Sequence, residues 1–249
     1  MQNPYPLVPS NSLRHVPLDE RDIPLEALSF LLGSSIGGGA LLKGANVLAQ
    51  KRLFAPEKVH SFSEQKKLLA PMVGSSEKMK ALAVELYDPH NIKNKGLIPA
   101  FLPYKNTIRV PTNVDTGVFS HELGHAKHML HSKLPIKAQM FLRRGLPVAG
   151  LLAGTAMVGS GKEKLKEWAP AVAASSFLPM LYQEGRASYS GFKGMEKAFG
   201  RAEAMKRLPK LLGALGVYAA LPVGTYLGAK ALLHLMKDKK ESDRNLSKK

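Results

Sequence analysis

Four stretches of this chain carry no charged residue over 15 or more consecutive positions, and they limit the folds that it can adopt: 27–42, 145–161, 168–182 and 211–229. A helix needs about 20 apolar residues to cross a bilayer. The last stretch comes closest to that length, and its Gly224-xxx-Gly228 pair would let a second helix approach closely. We therefore predict a membrane helix over 211–236 and a possible second one over 27–42.

The two middle stretches are separated only by the polar turn KEKLKE, so we predict an apolar helical hairpin over 145–182. Runs of this length that contain Pro147, Pro170 and Pro179 need not span lipid. The hairpin is therefore either embedded in a membrane or buried in the core of a soluble helical protein. The sequence leaves both alternatives open.

The chain has 36 Lys and Arg against 19 Asp and Glu, a formal net charge of +17, which suits either nucleic-acid phosphate or anionic lipid headgroups. The Pro-rich lead 1–26 is mildly acidic. The basic residues border the apolar stretches, for example Lys43, Arg143, Arg144 and Arg207. This distribution favours membrane lipid as a partner, and no nucleic-acid partner is expected because basic and aromatic residues are not interleaved.

The region 43–210 has the composition of a water-soluble domain, and the lack of cysteine excludes both disulfides and thiolate zinc sites. We predict a helix over 77–87 (EKMKALAVELY) and a short strand over 106–110. Beyond this domain and the last apolar helix, 237–249 is predicted to be a charged, solvated tail. The predicted fold class is mainly α with a small β-sheet (α+β).

A further helix is predicted to begin near Gly117, capped by Asp115 or Thr116, and it contains His121-Glu122-Leu-Gly-His125. Helical residues four apart differ by about 40° around the axis and about 6 Å along it, so both histidines can bind one ion. Glu122 lies beside that face, where a carboxylate can take a proton from a water on the metal and later deliver it to a leaving amine. These residues predict a zinc site with Glu122 as general base.

A catalytic zinc site needs a third protein ligand, and two residues are candidates. His131 would be the third histidine of an HExxHxxGxxH pattern, but His128 stands where that pattern has glycine. Without glycine the helix should continue, which puts His131 about 15 Å along the axis from His121. The other candidate is Glu184 in Gln-Glu-Gly-Arg-Ala-Ser188, directly after the apolar hairpin.

The order of a strand, HELGHAKH, two apolar helices and ExxAS resembles the gluzincin metallopeptidases, especially the membrane-embedded HtpX and CAAX-protease kind. The resemblance covers roughly 89–190. Ser188 stands where the HtpX and CAAX-protease kind has aspartate, whereas a related group of bacterial membrane zinc peptidases carries ExxAS there. It implies a gluzincin-like zinc peptidase core in which His121, His125 and Glu184 bind Zn²⁺ and Glu122 is the general base.

The resemblance also suggests that the strand 106–110 is a sheet edge along which an extended peptide substrate lies. Peptide hydrolysis further requires a donor that stabilises the tetrahedral oxyanion. Four side chains remain open for this role, namely His128, Tyr182, Arg186 and Tyr189.

Together these features lead us to expect a membrane-associated zinc metalloendopeptidase that acts on a peptide or protein substrate. Its histidines and Glu184 must share one side of the membrane, and the basic flanks favour the cytoplasmic side. The alternative is a catalytically inactive membrane or assembly protein that retains a vestigial or structural HExxH site. Metal content distinguishes the two, because a vestigial site should not hold stoichiometric zinc.

Overall fold

A computed structural model describes residues 25–52, 66–73, 77–88, 91 and 99–246. The lead 1–26 that we predicted from the sequence therefore lies almost wholly outside the described residues, as does the end of the tail after Leu246.

The described residues are mostly helical with one small sheet. In chain order the elements are α1 (Leu25–Arg52), a 3₁₀ turn (Lys66–Leu68), α2 (Leu69–Val73), α3 (Glu77–Lys80), β1 (Ala83–Tyr87), β2 (Ala100–Leu102), β3 (Thr107–Pro111), α4 (Thr116–His131), α5 (Ile136–Met140), a π-helical turn (Phe141–Gly145), α6 (Leu146–Gly159), α7 (Glu163–Ser175), α8 (Leu178–Phe199) and α9 (Arg201–Leu246). The predicted mainly helical α+β class is confirmed at this level.

The three strands form a sheet in the order β1-β3-β2, with β1 parallel and β2 antiparallel to β3. Ile108 and Val110 of β3 are fully buried, as expected for alternate residues of a central strand. The prediction that 106–110 forms a sheet edge is therefore wrong, because β3 has a partner on both sides. Among the described strands the edges are β1 and β2.

The predicted helix over 77–87 is also wrong beyond its first turn. Only Glu77–Lys80 is helical, and Ala83–Tyr87 forms β1. β1 pairs with β3 from Ala83↔Thr107 to Tyr87↔Pro111. This pairing with a segment more than 20 residues away overrides the local helical preference.

Helix α9 packs against α1 through small residues that let the two backbones touch. A Cβ atom on Gly37 would lie 2.2 Å from the carbonyl oxygen of Gly224, and one on Gly228 would lie 2.1 Å from that of Gly33. Neither glycine could carry a side chain without moving a helix. The sequence prediction that Gly224 and Gly228 admit a second helix is thus confirmed, and that helix is α1.

Helices α6 and α7 form a hairpin that packs on α1 and α9, but its bounds differ from the prediction. The segment KEKLKE begins α7 instead of forming the turn, and the apolar stretch 168–182 is divided between α7 and α8. A small apolar cluster joins the four helices, with Phe30, Val158, Ala173 and Ala229 among its buried residues. The second and larger cluster lies under the sheet and includes Ile108, Leu123 and Met195. The part of the fold that carries the HExxH motif is therefore built on its own core.

Two of the described helices are long and apolar enough to cross a membrane, Leu25–Ala45 within α1 and Arg201–Asp243 within α9. In the most apolar 18-residue stretch of each helix, only 28% of the residues of α1 and 17% of those of α9 are buried inside the protein. Leu32 and Ile36 of α1 and Val223 and Leu227 of α9 are exposed. A helix in the core of a soluble protein would bury most of such a stretch.

The hairpin helices are shorter than a bilayer is thick. α6 has 14 residues and α7 has 13, which corresponds to about 21 and 20 Å at a rise of about 1.5 Å per residue. The hydrocarbon core of a membrane is about 30 Å thick. The predicted charged tail forms the end of α9, which continues to Leu246, and its described side chains are exposed, as expected for a solvated segment.

Candidate metal centre

Helix α4 carries the HExxH motif and begins where the sequence predicts. Asp115 is its N-cap, and the Asp115 side chain accepts a hydrogen bond of 2.7 Å from the backbone N–H of Gly117. Lys210 of α9 lies 2.8 Å from the other carboxylate oxygen of Asp115. The cap therefore starts the helix and also ties it to α9.

Helix α8 lies against α4 at unusually short range, and glycines permit this. A Cβ atom on Gly124 would lie 2.0 Å from the carbonyl oxygen of Ala187, and one on Gly191 would lie 2.7 Å from that of Ser120. Glycine is the residue that allows backbones to approach this closely. As a result, Glu184 on α8 reaches the histidines of α4.

Three side chains converge at this contact in a group that could hold a metal ion. The Nε2 atoms of His121 and His125 lie 3.1 Å apart, and each lies 3.2 Å from Oε2 of Glu184. All three residues are buried, Glu184 completely. The predicted residues His121, His125 and Glu184 are thus brought together.

The spacing of these donor atoms fits a tetrahedral ion. Ligands at about 2.0–2.1 Å from a tetrahedral zinc are about 3.3 Å from one another. The observed separations of 3.1 to 3.2 Å are close to that value. Two imidazoles and one carboxylate are also a donor set that zinc accepts.

The protonation states of the group suit metal binding. Burial on its own would raise the pKa of Glu184, but its contacts with His121 and His125 and the positive charge of Arg143 hold that pKa well below its ordinary value. Burial is the main reason why the pKa of His125 is lowered. At neutral pH Glu184 is therefore ionised, the form in which a carboxylate binds a metal ion, and burial favours the neutral imidazole that a metal ligand needs at His125.

Ser188 orients His121. Its hydroxyl lies 3.1 Å from Nδ1 of His121 and donates to the backbone carbonyl of Leu211 at 3.4 Å. With its hydrogen directed to that carbonyl, the serine oxygen accepts from the Nδ1–H of His121. Nε2 then keeps its lone pair for the centre of the group.

Glu122 lies beside the group and is held by the sheet. The backbone N–H of Phe101 on β2 donates a 2.7 Å hydrogen bond to Oε2 of Glu122. A cleft of about 530 Å³ opens here, and its lining includes β2, Glu122, His125, Arg143 and Tyr218. The candidate metal centre is thus reached from a cleft that runs along the edge strand β2.

Other predicted candidates lie elsewhere. Helix α4 continues through His128, and His131 at its end is exposed and bonded through Nδ1 to the backbone carbonyl of Lys127. The ring of His128 lies against that of Tyr182, at 6.0 Å between centroids. None of the four side chains considered for the oxyanion lines the cleft, and two of them, Tyr182 and Tyr189, are more than half exposed.

Arg143, Tyr218 and the N–H of Phe101 are the residues at the site that the sequence did not indicate. Arg143 was counted only as a basic residue next to an apolar stretch, and Tyr218 only as part of a membrane helix. Neither belongs to a motif, so spacing alone offered no signal for them.

Comparison of the chain with models of known families, with curated proteins and with solved structures found no match. Fold and site nevertheless define a class: a mostly helical protein with a small sheet, two helices apolar enough to cross a membrane, and a buried His₂Glu group that could hold a metal ion.

Proposed function

We propose that the chain is a membrane-associated zinc metalloendopeptidase of the gluzincin type. The observation that carries the proposal is the convergence of His121, His125 and Glu184 within 3.2 Å, with Glu122 beside them at the cleft. The order of HELGHAKH, an apolar hairpin and ExxAS, which resembles the gluzincins, supports the same conclusion.

In this proposal His121, His125 and Glu184 bind the zinc ion, and Glu122 acts as the general base and then as the general acid. Bound zinc would polarise a water molecule and lower its pKa toward about 7. Phe101 holds Oε2 of Glu122, which leaves Oε1 to take the proton and return it to the leaving amine. Ser188 keeps His121 in the tautomer that ligation needs.

The substrate we propose is an extended peptide segment that adds to the sheet at β2. β2 is an edge strand, and it borders the cleft that holds Glu122. An edge strand offers unpaired backbone groups to an added strand. This replaces the expectation that the strand 106–110 would take the peptide.

The experiment that tests this function compares the full-length protein with Glu122→Gln in detergent. Both are incubated with a library of peptides from an unrelated proteome digest, and new N-termini are counted by mass spectrometry. Loss of a general base costs about 10²–10⁴-fold in rate, so we expect cleavage by the unaltered protein and at least about 100-fold less by Glu122→Gln. Both should contain the same amount of zinc.

Equal cleavage by both proteins would point to a contaminating protease and contradict the role of Glu122. A zinc-loaded protein that cleaves nothing, in detergent or with peptides tethered to vesicles, would instead favour the inactive assembly protein with a structural HExxH site.

We also propose that lipid surrounds α1 and α9 and that the catalytic part faces the cytoplasm. Basic residues that flank the apolar stretches in the region of the site, among them Arg143, Arg144 and Arg207, support that orientation. The low burial of the most apolar stretches of α1 and α9 supports the contact with lipid.

The membrane association predicts that the full chain floats with phosphatidylcholine vesicles and stays with them after a high-salt wash. Burial of apolar helices is not screened by salt, whereas attraction through lysine and arginine is. Detection by immunoblot of the floated fraction is sufficient. A monomer that stays soluble without detergent would contradict it.

A further inference from the structure

Arg143 lies in the π-helical turn Phe141–Gly145, between α5 and α6. A π-helical turn contains one more residue than an α-helical turn, which changes the direction of the side chains that it carries, and such turns are frequent at functional sites. The side chain of Arg143 reaches Glu184 of the metal group and lines the same cleft as β2.

The guanidinium of Arg143 contacts the carboxylate of Glu184 directly. Nη2 lies 2.5 Å from Oε1, an ion pair without the alignment of a hydrogen bond. Nη1 lies 3.5 Å from Nδ1 of His125. The side chain of Arg143 is 21% exposed, whereas that of Glu184 is completely buried.

The two oxygens of Glu184 therefore have separate partners. Oε2 faces both histidines, and Oε1 faces Arg143. A carboxylate that is free on both sides can bind a metal ion through one oxygen or through two. A guanidinium at one oxygen leaves only the other for the ion.

We propose that Arg143 is a positioning residue that holds Oε1, so that Glu184 offers only Oε2 to the metal ion. This inference rests on the metal site of the proposed function but not on peptide hydrolysis. It assigns Arg143 an effect on coordination number, which a residue that only stabilises the fold would not have.

The charge of Arg143 also acts on the ion, in the opposite direction. A guanidinium near a divalent cation repels it, so removal of the charge alone would strengthen metal binding. Removal of a partner that orients a ligand instead weakens metal binding, typically about 10–100-fold. A decrease in metal affinity on loss of Arg143 would thus indicate that it positions Glu184, whereas an increase would indicate only that its charge repels the ion.

The test uses Co²⁺ as the probe, because its visible absorption reports its coordination number. The full chain is stripped of metal in detergent and titrated with Co²⁺ against a competing chelator. For Arg143→Met we expect weaker visible absorption, as Oε1 becomes a further ligand, and about 10-fold weaker binding. Arg143→Lys keeps a cation that can reach Oε1 and should retain the absorption of the unaltered protein.

Arg144→Met is the matched control. Arg144 belongs to the same turn and lines the same cleft, but the only arginine paired with Glu184 in the described structure is Arg143. We expect Arg144→Met to leave both absorption and affinity unchanged. If Arg143→Met does not fold, the same measurements on Arg143→Gln decide the question.

The inference is overturned if Arg143→Met has the same visible absorption with Co²⁺ as the unaltered protein, or if it binds Co²⁺ as tightly or more tightly. It also falls, together with the proposed metal site, if the unaltered protein takes up no Co²⁺. If the unaltered protein binds Co²⁺ and Arg143→Met behaves as expected, but no peptide is cleaved, the inference stands and only the peptidase proposal fails.

Discussion

Gly124→Ala is expected to abolish metal binding, although it adds only one methyl group. The new Cβ atom would lie 2.0 Å from the backbone carbonyl oxygen of Ala187, which cannot rotate away as a side chain could. Helix α8 must therefore move, and Glu184 moves with it. A shift of about 1 Å at a catalytic site can cost about 100-fold in rate, and metal retention should fail as well.

Gly185→Ala provides the matched control for this variant. Gly185 is the neighbour of Glu184 on α8, and a Cβ atom there would meet no atom within 4 Å. We expect full metal content and a gain of about 0.5–1 kcal/mol in stability, since alanine favours a helix more than glycine does. Metal analysis and thermal unfolding in detergent measure both effects. Full metal content in Gly124→Ala would contradict the described contact between α4 and α8.

Glu184→Ala is expected to remove stoichiometric zinc and all hydrolysis. The substitution leaves two histidines to hold the ion and also leaves Arg143 without its carboxylate. A site with two protein ligands is under-coordinated, because catalytic zinc sites have three. Zinc content after dialysis and the peptide-library assay measure the two losses.

His131→Ala is the comparison, because it tests the other candidate for the third ligand. His131 is exposed and its Nδ1 is bonded to Lys127, so its loss should change stability by less than about 0.5 kcal/mol and leave the zinc in place. A structure of the zinc-loaded protein with His131 within about 2.1 Å of the ion, and Glu184 remote from it, would refute this choice and the gluzincin interpretation.

The features that the sequence predicted well are local or depend on helix geometry. The start of α4 at Asp115 follows from a capping pattern, and the shared face of His121 and His125 follows from helical spacing. Helix continuity through His128 correctly separated His131 from the group. Each of these depends on residues within one helix.

The features that the sequence did not predict depend on contacts between distant segments. Nothing in 77–87 indicates that Ala83–Tyr87 would pair with β3 instead of extending a helix. For the same reason the central position of β3 and the exposed edge at β2 could not be read from local pattern. The contact of Arg143 with Glu184 joins residues about 40 positions apart and depends on the packing of the π-helical turn against α8.

The proposed zinc site can be tested by elemental analysis of the purified protein beside Glu122→Gln and His125→Ala. We expect one zinc ion per chain in the unaltered protein and in Glu122→Gln, because Glu122 contacts Phe101 and is not part of the metal group. His125→Ala should retain none. Absence of zinc from the unaltered protein, or its full retention in His125→Ala, would refute the zinc site formed by His121, His125 and Glu184.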